Sequence, residues 1–144
     1  MILLTDDLRG RLLANGHDRD ADHIPVVKFF NPLGEGVWLA TELDANGDTL
    51  FGLADLGYPE LGSFSLEDLT SVRLPSGMGI ERDILFQTDL PISVWAEAAA
   101  RVLTNEPWGS AHPRFRKSVF QALRFLANRA RGAVLRVRGR RRSS

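Results

Sequence analysis

Apolar residues change their spacing several times along the chain, and each spacing predicts an element. Leu8, Leu12 and Leu13 recur at helical spacing behind Thr5-Asp6-Asp7. Thr5 is a good N-cap, and two acids in the first turn suit the positive end of the helix dipole. The expectation is a helix from residue 5, closed by Asn15-Gly16 as its C-cap. Residues 17–23 are polar, have no period and predict a loop. Residues 24–30 are mostly apolar and rich in strand formers, so they predict a buried strand stopped by Asn31-Pro32. Residues 37–43 and 49–54 alternate around Asp44-Ala45-Asn46-Gly47-Asp48. Asn-Gly between two alternating runs predicts a β-hairpin.

Further on, Ser65-Leu66-Glu67-Asp68 reads as a helical turn, with Ser65 as cap and Asp68 as its capping-box partner. Residues 71–74 and 80–86 predict two more short strands, parted by the turn Pro75-Ser76-Gly77-Met78-Gly79. Pro91 opens a helix through Trp95 to residue 103. The order gives an α+β fold. An antiparallel sheet with a hairpin is flanked by an N-terminal helix and a helix after the last strand. No internal repeat is visible.

Beyond that helix the pattern changes. Residues 106–113 carry two prolines, a glycine and Trp108, and read as a linker. From Arg114 onward Phe115, Val119, Leu123, Leu126, Ala130, Ala133 and Val137 recur every three or four positions. Lys117, Arg124, Arg131 and Arg138 fall on a different face at seven-residue spacing, which predicts a basic amphipathic C-terminal helix. The organisation expected is an α+β domain over 1–105, a linker over 106–113 and a basic helical tail over 114–144.

Composition sharpens this division. The formal net charge is zero, but residues 1–100 hold 17 acids and 6 bases, 6 − 17 = −11, and residues 101–144 hold 12 bases and one acid, Glu106, 12 − 1 = +11. A net charge of −11 exceeds the magnitude of about 2–8 common for small soluble domains. There are no cysteines, which excludes disulfides, thiolate zinc sites and a cysteine nucleophile. The apolar start, Met1-Ile2-Leu3-Leu4, is too short for a signal peptide and is followed by Asp6 and Asp7. No apolar run approaches the roughly 18 residues of a membrane span. A cytoplasmic protein is expected.

The candidate chemistry is sparse. Asp18-x-Asp20-x-Asp22 begins like a calcium loop, but the sixth position is His23 instead of Gly and the twelfth is Phe29 instead of Glu. A solvated acidic loop is the expectation. Asp44, Asn46, Gly47 and Asp48 also resemble a calcium loop, and the hairpin turn explains them. Glu81 and Asp83, two apart on an expected strand, share a face, and an acidic surface accounts for them better than acid–base chemistry. Gly34-Glu35-Gly36 and Gly77-Met78-Gly79 lack the third glycine of a dinucleotide loop. No nucleophile elbow or phosphate loop is present, so no cofactor and no metal are expected.

The outward positions of the hairpin are expected to carry Glu42, Asp44, Asp48 and Asp55. With Glu81 and Asp83 they make a candidate partner-binding acidic face. For the tail, Lys117, Arg124, Arg131 and Arg138 are candidate polyanion contacts. Three targets stay open for it: a phosphate backbone, an anionic membrane surface, and its own acidic domain or a partner.

A resemblance runs through Met1-Ile2-Leu3-Leu4-Thr5, His23-Ile24-Pro25-Val26-Val27-Lys28-Phe29-Phe30-Asn31-Pro32 and Trp38-Leu39-Ala40-Thr41-Glu42-Leu43. It continues in Leu50-Phe51-Gly52-Leu53-Ala54-Asp55-Leu56-Gly57, in Pro59-Glu60-Leu61-Gly62-Ser63-Phe64-Ser65-Leu66, in Ile80-Glu81-Arg82-Asp83 and in Pro91-Ile92-Ser93-Val94-Trp95-Ala96. These stretches resemble an uncharacterised family, domain of unknown function twenty-nine fifty-eight, over residues 1 to 100. The resemblance carries no activity. It implies a small cargo protein of plasmids and integrative elements, found beside conjugation and anti-restriction genes. The leading expectation is therefore a non-enzymatic accessory protein of a mobile genetic element. It would bind a protein partner, in an anti-restriction or anti-CRISPR-like role. The alternative is a non-specific nucleic-acid-binding module acting through the basic C-terminal helix. A third reading is a hydrolase using Asp22, His23 and Glu81.

Overall fold

A computed structural model describes residues 1–104. The expected linker over 106–113 and helix over 114–144, with Lys117, Arg124, Arg131 and Arg138, lie outside the described residues.

Thr5 starts the first helix as its sequence suggests. Its side chain accepts from the Leu8 amide at 3.3 Å, and α1 runs Asp6–Gly16 with Asp6 and Asp7 in the first turn. Gly16 falls inside the helix and His17 is the cap residue, its amide reaching the carbonyls of Ala14 and Asn15. Four strands then form a meander: β1 (Val27–Phe30), β2 (Val37–Leu43), β3 (Thr49–Asp55) and β4 (Pro59–Ser65). The hairpin turns at Gly47, whose φ of 76° suits a residue without Cβ. Helix α2 (Leu66–Ser71), a 3-10 turn at Pro75–Gly77, β5 (Glu81–Arg82) and α3 (Ile92–Thr104) complete the order. The sheet is antiparallel throughout, ordered β4-β3-β2-β1-β5.

Helices cover both faces of this sheet. Leu12 of α1 packs with Phe29, Trp38, Ala40, Leu43 and Leu50 on one side. On the other, Ile92, Trp95, Ala98 and Ala99 of α3 pack with Leu39 and Leu53. Fully burying one such aliphatic or aromatic side chain stabilises by about 1.5–3 kcal/mol, so the two layers together supply the driving force. A strand between two apolar layers buries both sets of its alternating side chains. Residues 38–43 of β2 are accordingly all buried.

Three sequence expectations are corrected here. Residues 71–74 form no strand, because Ser71 ends α2 and Val72 caps it. Of residues 80–86 only Glu81–Arg82 pair, along the outer edge of β1. The fourth strand, β4, was not expected: Pro59, Gly62, Ser63 and Ser65 dilute its apolar signal, yet it pairs with β3 along its whole length.

A bulge decides the register in the centre. Ala40 pairs with Gly52 and Glu42 with Phe51, so Thr41 is the extra residue in β2. The Thr41 hydroxyl donates to the Phe51 carbonyl at 3.1 Å, and the Asn15 amide donates to the Thr41 carbonyl at 2.9 Å. Gly52 is required beside the bulge. A Cβ there would lie 1.7 Å from the Leu39 carbonyl oxygen.

Candidate functional site

Turn chemistry places the acidic residues. Asp48, at the end of the hairpin turn, accepts from the Ser65 hydroxyl at 2.8 Å and from the Glu67 amide at 2.7 Å. Ser65 in turn accepts from the Asp68 amide at 3.1 Å, which is the expected cap of α2. The carboxylate that helps to cap α2 is thus that of Asp48 in the hairpin turn, which holds the Ser65 hydroxyl and the Glu67 amide, and not that of Asp68 as the capping box predicts. Asp44 forms an ion pair with Arg19 at 3.2 Å. The structure thus brings Asp44 and Asp48 to one end of the sheet, beside the exposed Glu67 and Asp68.

The other acids lie elsewhere. Asp55 sits at the opposite end of β3, where its carboxylate accepts from the Gly57 amide at 2.9 Å. Glu81 pairs with Phe30 on the far edge of the sheet. Because β5 ends at Arg82, Asp83 does not continue the strand beside it. It accepts from the Leu85 amide and lies 3.5 Å from the buried Lys28 ammonium. Glu42 is not an outward position. The bulge at Thr41 moves it from the α1 side to the α3 side of the sheet, where it is 1% exposed.

The cations of the domain are largely engaged. Arg9 donates to the Gly47 carbonyl and Arg82 to the carbonyls of Ile2 and Leu3. Arg73 donates to the carbonyls of Thr70 and Val72. Arg19 and Lys28 sit in the ion pairs above. Arg11 is exposed and lines a cleft of about 970 Å³ between α1, residues 22–26 and residues 86–89.

In that cleft the sequence expectation of a solvated acidic loop fails for Asp22. Helix α3 follows Pro91, which offers no side-chain acceptor for its first amides. The loop before β1 supplies them. The Ile92 amide donates to the His23 carbonyl at 2.8 Å, the Ser93 amide donates to Asp22 at 3.1 Å, and the Ser93 hydroxyl also donates to Asp22. The His23 ring donates from Nε2 to the Asp18 carbonyl at 2.6 Å. A cap-less proline start was the sequence signal for this remote clamp. Ser93 is buried at 2% exposure, so its hydroxyl is not presented as a nucleophile. Glu81 lies at the far end of β1 from His23, and the three residues of the hydrolase reading are not assembled. Among the described residues no three His, Cys, Asp or Glu side chains group as metal ligands, and no helix is long and apolar enough to cross a membrane.

Comparison with known proteins gives a family and nothing finer. No curated protein and no solved structure matches the chain. The family model described as "Protein of unknown function (DUF2958)" matches residues 3–104, from the first core leucine to the end of α3. The chain belongs to this family.

Proposed function

We propose that this chain is a non-catalytic accessory protein that acts by binding a basic protein partner. The contact is the end of the sheet that carries Asp44, Asp48, Glu67 and Asp68. One observation supports this reading above the others. Arg9, Arg19, Lys28, Arg73 and Arg82 are tied to carbonyls or carboxylates of the domain, whereas Asp6, Asp7, Asp18, Glu60, Glu67, Asp68 and Asp89 are exposed. The field that reaches solvent is therefore negative, and such a field steers and orients a positively charged surface. Basic clefts that grip nucleic acid, including those of host defence enzymes, are the partner class that fits the mobile-element association of the resemblance. Immobilised full-length protein should retain a basic partner that elutes with moderate salt. The double variant Glu67→Lys/Asp68→Lys should lose it with an unchanged circular dichroism spectrum. Undiminished retention by the folded double variant would remove this reading.

A second reading is nucleic-acid binding through Lys117, Arg124, Arg131 and Arg138, favoured by their seven-residue spacing. If this face engages about four to six phosphates, log K falls with log salt at a slope of about −4 to −5. Fluorescence titration of the full chain with random-sequence DNA at two salt concentrations measures it. A flat salt response, or no binding at low salt, rules the reading out.

A further inference from the structure

The two edges of the sheet are finished differently. Sheets guard their edges because a row of unpaired amides and carbonyls is a template for another strand. At the β5 edge the strand is two residues long, and the outward Arg82 amide donates to the Met1 Sδ at 3.1 Å. The β4 edge carries no such guard. β4 is seven residues long, pairs with β3 at every position without a bulge and has its proline at the first position. The Leu66 amide donates to the Asp48 carbonyl, which makes residues 66 and 48 a hydrogen-bonded pair. Bonded and open positions alternate along an antiparallel strand. Phe64, Gly62 and Glu60 therefore bond to β3, and Leu61 and Ser63 turn their amides and carbonyls outward. Among the described residues no strand lies beyond β4, and these outward groups have no hydrogen-bond partner.

We propose that β4 takes up an extended basic segment of the partner protein as an added strand. The inference rests on the partner-binding reading above and gives its mode of recognition. Charge selects the occupant. Residues 45–72, which hold β3, β4 and α2, carry Asp48, Asp55, Glu60, Glu67 and Asp68 and no Lys or Arg. Glu60 stands at one end of the open edge. Asp48, Glu67 and Asp68 stand at the other, where β4 runs into α2 through the Ser65 cap. A second copy of β4 would bring a like-charged surface against these acids. An extended segment with Lys or Arg at alternate positions carries its cations on one face and sets them beside the acids. Main-chain bonds to Leu61 and Ser63 supply affinity that is indifferent to sequence, and the acids at both ends select the basic segment.

The probe is a peptide as long as β4, seven residues alternating lysine and valine, titrated into the full chain at low salt. The amides of Leu61 and Ser63 are followed by NMR through their shifts and their hydrogen exchange. The expected result is saturable binding that protects both amides, with affinity about tenfold lower in Ser63→Pro. Proline is tolerated where an edge-strand amide faces solvent, so pairing with β3 is kept while the outward donor is lost and the ring blocks the approach. Circular dichroism checks that this variant is folded. The same peptide N-methylated at two adjacent central residues loses a donor on each of its edges. It should bind the unaltered chain about tenfold more weakly, which keeps the test decisive if Ser63→Pro does not fold. Equal affinity for the methylated peptide, binding without protection of Leu61 and Ser63, or no binding at low salt overturns the inference. Protection already present without peptide also overturns it: dependence on protein concentration assigns the edge to a second copy, and independence assigns it to the chain itself. The double variant Glu67→Lys/Asp68→Lys separates the two readings. Unchanged binding by that folded variant overturns the acidic contact and leaves strand addition standing. Binding lost there but unchanged in Ser63→Pro overturns strand addition alone.

Discussion

Gly52 shows how one missing side chain sets a register. The Leu39 carbonyl occupies the space where a Cβ would stand, at 1.7 Å. Any other residue forces β2 and β3 apart at the bulge, where Thr41, Asn15 and Phe51 are joined by hydrogen bonds. Gly52→Ala is expected to destabilise by about 2–3 kcal/mol, the upper range for overpacking a filled core, as measured by urea unfolding. A change below the error of the measurement would show that the strands relax without cost. The sequence displays Gly52 plainly but not its reason. A lone glycine in a strand signals a bulge or a close approach without saying which residue is extra. Glu42 reads as outward in the sequence because nothing in its own stretch shows that helices cover both faces of β2, or that the extra residue at Thr41 turns it from one covered face to the other.

Elements with a strong local signal were legible, and those defined by remote partners were not. Helix α1, the β2–β3 hairpin and α3 announce themselves by period, turn residues and caps. β4 escapes because an edge strand of small residues is held by β3 and not by its own pattern. The start of α3 was placed correctly, but its clamp was hidden, since Asp22 and Ser93 are 71 positions apart. Removing an N-cap costs about 0.5–2 kcal/mol. Asp22→Ala and Ser93→Ala should each fall in that range. Because they share one hydrogen bond, the double variant should cost less than the sum. Thermal unfolding of the three variants decides this, and strict additivity would mean that Asp22 acts only through the Ser93 amide. The candidate acidic face was legible only in part, because its members are placed by turns, by a bulge and by a strand that ends at Arg82.

For the whole molecule, the charge division seen in the sequence and the two-layered core seen in the structure fall on the same stretch of chain. The family match spans 3–104, and the positive charge begins in earnest beyond it. Within that stretch the sheet has two unlike halves. β1 to β4 are joined by short turns, whereas β5 must find β1 from across the sequence. Arg82 is then tied to the carbonyls of Ile2 and Leu3, 80 and 79 positions away. Order in time follows from order along the chain. Local pairings cost little loop entropy and form early, so the meander is the natural folding nucleus, and the closure of the amino-terminal residues onto β5 comes after the rate-limiting barrier. Arg82→Ala should accordingly leave the refolding arm of a chevron plot almost unmoved and steepen the loss of the native state through faster unfolding. A refolding rate that falls in proportion to the lost stability would place this closure in the transition state. The β5 edge is then the latch of the fold, the last contact made and the first released.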